Sequence, residues 1–197
     1  MKSTLDYSSL NPVLKLSNWL SWRAVVPNLK EGNWLDIMPG NQNILQKYQV
    51  ENKKITLFYS IDQSLNKSAS KNFHLREYHI ERKLPYKSEA FDNITFINGL
   101  EHLWYPQEIL SECFRILKSR GRLQIIVPTW FGKPFLEFVA FGIKIQDQVF
   151  KSINDHKAYY EEKTLWPMLV KAGFKPKRIK LRRIKFFCSL YAYVTKE

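Results

Sequence analysis

Residues 84–128 read LPYKSEAFDNITFINGLEHLWYPQEILSECFRILKSRGRLQIIVP, and this stretch decides the fold. Leu84 to Ala90 has the proline and polar residues of a turn. Phe91–Ile97 is a β-branched and aromatic run of strand length. Asn98 and Gly99 interrupt it, and Glu101 and His102 follow. From Pro106 to Lys118 the apolar residues recur at helical spacing, with proline suited to the first turn and Lys118 and Arg120 to the carboxyl end. Gly121 reads as the stop, and Arg122–Val127 as a second buried strand. Strand, helix and strand in this order belong to a parallel α/β sheet, whose ligands sit beyond the carboxyl ends of the strands. Glu101 and His102 fall just past such an end.

The same rhythm extends outward. Residues 12–26 suggest a helix with Trp19 and Trp22 on or beside its apolar face. Trp34–Ile37 and residues 55–61 read as the first two strands, and Phe73–Ile80 as an exposed third. Short helices are expected near 44–48 and 64–71. Residues 131–152 read as mostly helical, and Phe135, Phe138 and Phe141 share one face. Core packing is the preferred role for that face, ahead of a lid over an acceptor or a membrane-contacting helix. An irregular, polar and aromatic segment (Asp155-His156-Lys157-x-Tyr159-Tyr160) suggests substrate contact. A helix over Glu161–Ala172 then ends at Gly173 and feeds two strands, Phe174–Ile184 and Phe186–Thr195. A chain of 197 residues suits one core better than two domains. Residues 1–32 form an N-terminal helical segment, and 33–197 the domain proper.

Composition narrows the partners. Cys113 and Cys188 lack metal-ligand spacing and read as small buried residues in a reducing compartment. No run approaches the roughly 20 apolar residues of a membrane span, so a cytoplasmic location is expected. His74 and His79 flank Glu77, but on a strand His74 faces away from the other two, so no metal set is expected. The net charge of +13 gathers between Lys171 and Lys185, where no acid intervenes. Such a field attracts an anionic membrane, a phosphorylated acceptor or nucleic acid. A lysine-rich edge strand that resists aggregation is an equal explanation. Nucleic acid ranks behind the membrane, because no aromatic-rich RNA-binding signature accompanies the charge.

Trp34-Leu-Asp-Ile-Met-Pro-Gly-Asn41 is a strand running into a glycine turn, the form in which nucleotide-like cofactors are received. Asp62 follows the second hydrophobic strand, where an acid accepts hydrogen bonds from ribose hydroxyls or caps the next helix. Taken with Leu84-Pro85-Tyr86, Phe91-Asp92, Leu100-Glu101-His102 and Arg115-Ile-Leu-Lys-x-x-Gly121, the chain resembles a class I S-adenosylmethionine-dependent methyltransferase. The similarity is to the large group that includes quinone-biosynthesis enzymes. Asp36 and Gly40 match its glycine-rich first motif, whereas Met38 and Gln42 stand where glycines are usual.

The resemblance implies an α/β, Rossmann-like doubly wound sheet of about seven strands, mostly parallel with the last antiparallel, and helices on both faces. It implies S-adenosylmethionine as cofactor, received at Asp36, Met38, Pro39 and Gly40, with its ribose at Asp62 and Gln63. The backbone of Asn98, Gly99 and Leu100 would border it. The acid expected near adenine is Ile80 here, with Glu81 one step out of register. His102, or His156 oriented by Asp155, would take the proton of a hydroxyl acceptor. The tail Leu165-Trp-x-x-Leu-x-x-Ala-Gly-Phe174 resembles small methyltransferases of surface-glycan synthesis, which implies a small-molecule, sugar or lipid-linked glycan acceptor. A degenerate, non-catalytic binding protein and a nucleic-acid methyltransferase are the competing readings.

Overall fold

The computed structural model describes residues 12–39, 55–62, 73–142 and 154–197. The helices expected near 44–48 and 64–71, together with Gly40, Gln42 and Gln63, lie outside the described residues. The helices are α1 (Pro12–Val25), α2 (Pro106–Ile116), α3 (Gly132–Gly142) and α4 (Glu162–Lys171). The strands are β1 (Gly32–Ile37), β2 (Ile55–Asp62), β3 (Phe73–Glu77), β4 (Phe91–Ile97), β5 (Leu117–Pro128), β6 (Ile179–Ile184) and β7 (Ser189–Thr195).

These strands form one sheet in the order β3-β2-β1-β4-β5-β7-β6. Pairings from β3 through to β5 are parallel, and β7 runs antiparallel to both β5 and β6. The chain moves outward from β1 to β3 and then returns beside β1 as β4. The order therefore reverses between β1 and β4, which opens a crevice at their carboxyl ends.

Alternation along the central strands divides the core in two. Leu35 and Ile37, Ile94 and Phe96, Leu123, Ile125 and Val127, and Leu190, Ala192 and Val194 face a large cluster with Ile109, Leu110 and Cys113 of α2 and Leu165 and Leu169 of α4. Ile126 and Tyr191 point the other way, onto Ala24 and Val25 of α1. Each such fully buried aliphatic side chain stabilises the fold by about 1.5–3 kcal/mol. Helices thus cover both faces, with α1 packed on the smaller of the two clusters.

The spaced motif residues turn out to be clamps. Arg115 of α2 donates from Nη1 to Tyr86 O at 2.9 Å and from Nη2 to Leu84 O at 3.2 Å, while Glu112 accepts from Leu84 N at 2.9 Å. One helix end therefore fixes the turn before β4. Asp92 accepts from Asn33 N at 2.9 Å and pairs with Lys118 at 2.7 Å. Gly32 has φ 123, and a Cβ there would collide with the Asp92 carboxylate.

Several expected boundaries are corrected. The helix after Pro106 ends at Ile116 rather than Lys118, because Leu117 is already extended and pairs with Phe91. Gly121 is consequently not a helix stop but part of β5, where a Cβ would come within 2.7 Å of Leu117 Cγ. The third strand ends at Glu77, and the sixth starts at Ile179 after a tight turn at Pro176–Arg178. The seventh begins at Ser189, since Lys185, Phe186 and Phe187 all adopt left-handed φ of 51, 54 and 69. In α1 the buried residues are Asn18, Ser21, Ala24 and Val25, whereas Trp19 is exposed with Arg23 stacked on it. Core packing is overturned for Phe135 and Phe138, which are 51% and 68% exposed, while the Phe141 side chain lies outside those described.

Candidate active site

The site is built where β4 and β5 end. Asn98 takes φ 50 and donates its backbone N–H to Ile126 O at 2.8 Å, which swings the chain across the top of β5. At Gly99, an added Cβ would meet the Phe96 ring at 2.6 Å and Met38 Cβ at 3.0 Å. Only glycine lets the loop after β4 lie this close to the loop after β1. A short helical turn, Leu100–His102, then presents Glu101 and His102 side by side.

Residues 155–160 close over these as a strap. Lys157 N donates to Glu101 O at 2.8 Å, and Tyr160 N donates to Pro128 O at 3.0 Å. The Tyr160 hydroxyl reaches Leu100 O at 3.4 Å. The strap carries His156 to 3.9 Å from Glu101 Oε1 and Asp155 to 3.4 Å from His102 Nδ1. The two imidazoles lie 4.9 Å apart, centroid to centroid, and Tyr159 is 5.4 Å beyond His156. Asp155 therefore faces His102, which corrects the expected Asp155–His156 pairing.

Burial sets the protonation states. Burial raises the Glu101 carboxyl to about 8, against the opposing pull of its own backbone N–H and, less, of Lys185. Burial likewise lowers His156 to about 4, helped by its neighbour His102. His102 is lowered by burial, against the opposing pull of Asp155. Both histidines are accordingly neutral near pH 7, each with a free ring lone pair. Lys185 is half-buried, and burial pulls its ammonium down to about 8 while Glu101 and Cys188 oppose.

Glu101 is 1% exposed, and neither carboxylate oxygen finds a hydrogen-bond partner among the described residues. One ligand atom each from Glu101, His102 and His156 lies within 4.8 Å of the others. No metal set was expected from spacing, because these donors converge only through the strap. His79, by contrast, pairs with the exposed Glu81 at 3.3 Å on the surface.

On the cofactor side, Asp36 is buried and its Oδ1 accepts from Thr95 Oγ1 at 2.6 Å, while Thr95 Oγ1 accepts from Trp34 Nε1 at 2.8 Å. This chain of bonds stitches β1 to β4 just behind the crevice. Met38 has φ 53, the left-handed backbone that a glycine would readily supply, and its side chain packs against the large core cluster. Met38 Cβ also stands 3.0 Å from the position a Gly99 Cβ would take, so the turns after β1 and β4 meet at these two residues. Asp62 ends β2 opposite Glu77. Ile80, where an adenine-contacting acid was expected, is buried in the core.

The sequence readings missed Lys185 and Trp130. Lys185 was counted with the surface charges, and only the left-handed turn that follows β6 directs it inward. Trp130 stacks at 5.0 Å on Tyr159, and Phe131 lies 6.4 Å from Phe187 of that turn. Thr129 Oγ1 donates to Phe187 O at 2.8 Å, and a Cβ on Gly132 would overlap the Cys188 carbonyl. Trp130, Phe131 and Phe187 therefore form an exposed aromatic platform beside the strap, and Phe135, Phe138 and Phe186 are exposed as well.

Comparison with known proteins agrees with this architecture. Residues 35–125 match the methyltransferase domain family. The ubiquinone/menaquinone biosynthesis C-methyltransferase UbiE of Ectopseudomonas mendocina is 28% identical over 127 residues, which cover 58% of this chain and 49% of that protein. A methyltransferase solved in complex with the Haloferax volcanii Trm112 activator superposes with a TM-score of 0.71 at 14% identity, covering 93% of this chain and 92% of that one. A SAM-dependent methyltransferase from Aquifex aeolicus gives 0.64 at 19% identity, covering 94% and 97%. Over residues 35–125 the chain is therefore similar to methyltransferases, and its fold is the one seen in S-adenosylmethionine-dependent methyltransferases. It spans about half the length, or less, of the curated relatives it matches.

Proposed function

We propose that the protein transfers the methyl group of S-adenosylmethionine to an oxygen of a sugar or lipid-linked glycan. The observation that carries this reading is His102, neutral and held by Asp155, just past the carboxyl end of β4 where the strand order reverses. The turn at Met38 to Gly40 and the backbone of Asn98 to Leu100 would hold the cofactor, with Asp62 and Gln63 at its ribose. Asp36 acts from behind, fixing β1 against β4. Bound there, the cofactor supplies an electrophilic methyl on a sulfonium.

The acceptor oxygen forms the new C–O bond, and the electron pair of the S–C bond returns to sulfur, leaving a neutral thioether. His102 takes the proton that the hydroxyl loses. The residues' main contribution is alignment at near-contact distance, together with exclusion of water by the strap.

The aromatic platform supports a lipid-linked acceptor, because amphipathic rings favour the membrane–water boundary. Among the described residues no helix is long and apolar enough to cross a membrane. A nucleic-acid acceptor is less well supported: Glu197 lies within 2.7–3.0 Å of Lys175, Lys177 and Arg178, and Glu161 and Glu162 hold Arg183, so much of the basic run is already compensated. Incubating the protein with methyl-labelled cofactor and separated envelope-lipid, glycan, protein and RNA fractions tests the reading. Label in the lipid or glycan fraction is expected, and label confined to RNA or protein would overturn it. The competing idea of a degenerate binding protein rests on Met38. Met38→Gly would then switch cofactor binding on from nothing, whereas a Met38 packed on the core predicts binding before and after the change.

A further inference from the structure

The geometry points to a divalent-cation site formed by Glu101, His102 and His156, with an open position for an acceptor oxygen. The inference rests on the methyl-transfer reading only for what fills that open position. The donor set stands by itself. Glu101 is sealed from solvent with both oxygens unbonded to any described residue. A carboxylate buried in this way, without a hydrogen bond, calls for an ion or water beside it. Two imidazoles converge on it, and all three ligand atoms fall within 4.8 Å.

The surroundings follow the usual logic of such sites. Asp155 stands 3.4 Å from His102 Nδ1, which fixes the ring and leaves Nε2 to bind a metal. Two histidines and one carboxylate suit zinc or a similar first-row divalent ion, and this set typically leaves a position for water or substrate. The competing cations are Lys185, whose charge is felt at Glu101, and Lys157, whose charge is felt at both histidines. No other described acid joins the cluster. A sugar hydroxyl bound at the open position would be acidified by the cation. Its proton then leaves to solvent water, the oxygen pair forms the C–O bond, and the S–C pair returns to sulfur. His102 in that state holds the ion instead of taking the proton, so the substrate class narrows to acceptors with an oxygen free to ligate.

The experiment uses the full chain, without any affinity tag, stripped with a chelator and titrated with Co²⁺ and Mn²⁺. One ion per chain should bind, with visible cobalt bands of low-symmetry nitrogen and oxygen ligation. Pulsed electron resonance should detect two imidazole nitrogens. Glu101→Gln and His156→Asn should each weaken binding by at least about tenfold, Lys185→Met should tighten it, and His79→Gln should leave it unchanged. Absence of binding to the natural chain overturns the proposal, as does affinity unaffected by Glu101→Gln or His156→Asn. Where a variant fails to fold, the imidazole signal of the natural chain and the Lys185→Met effect decide the matter. Binding of S-adenosylmethionine is measured separately by calorimetry. Its failure would break the methyl-transfer reading while leaving the cation site standing.

Discussion

Glu101 and Glu197 are both carboxylates near lysines, yet their surroundings drive them in opposite directions. Hydrogen bonds from Lys175, Lys177 and Arg178 pull Glu197 down to about 2. Burial pushes Glu101 up to about 8, and the single cation that opposes it is Lys185, itself held low by burial. Glu197 clasps the edge of the sheet in water, where screening leaves little net stabilisation. Glu101 lies at the crevice with its bonding capacity unspent. The contrast teaches that the exposed clasp satisfies its charges, while the buried site keeps a demand that a proton or a ligand must meet.

The largest effect that could break this distinction lies next to Glu101. His102→Gln should lower methyl transfer by about 10²–10⁴-fold with cofactor binding retained, measured as label incorporated per minute. In the natural protein without added metal, the rate should fall on acidification only below the ordinary histidine range, because burial lowers His102. Asp155→Asn removes a carboxylate that raises His102, so the acid limb should move lower still. An acid limb that stays put would deny Asp155 its positioning role.

Gly99→Ala comes next, since its Cβ would strike the Phe96 ring at 2.6 Å and Met38 at 3.0 Å. A cost of about 1–3 kcal/mol in denaturant unfolding is expected, together with loss of cofactor affinity. A variant that melts and binds normally would mean that the β1 and β4 loops do not need to touch.

Glu101→Gln sharpens the comparison through pH. The folded-state carboxyl is raised above its unfolded value of 4.5, so its contribution to stability is fully present below that pH and is lost as pH rises toward about 8. Melting of the natural protein should therefore weaken relative to Glu101→Gln across that window. Parallel melting curves from pH 4.5 to 8 would show that Glu101 ionises freely. Glu197→Gln is the smallest change. Its folded pKa is depressed, so any contribution exists above pH 4.5 and fades on acidification toward 2, and at moderate salt the shift should fall within the scatter of repeated melts.

The stretch from Leu84 to Pro128 was legible because its signals are local. β4 falls where its apolar run does, and α2 starts at the proline. What escaped sequence reading depends on contacts between distant segments. Lys196 pairs with Arg120 and Gly121, which extends β5 beyond its apolar run through an irregular stretch where Arg120 is left-handed. The strap can be recognised as polar and aromatic, but which histidine Asp155 meets depends on Lys157 bonding to Glu101. Likewise, helical spacing grouped Phe135 and Phe138 correctly on one face, yet could not say whether that face looks inward or out. Met38 stands where a glycine is usual, and only the structure shows that it takes the left-handed backbone a glycine would supply, with its side chain packed against the core.

Titration of the full chain with S-adenosylmethionine in a calorimeter tests the central claim most directly. The account predicts saturable binding of one cofactor per chain, abolished by Gly99→Ala and preserved in His102→Gln. A flat titration of the folded natural protein would contradict it.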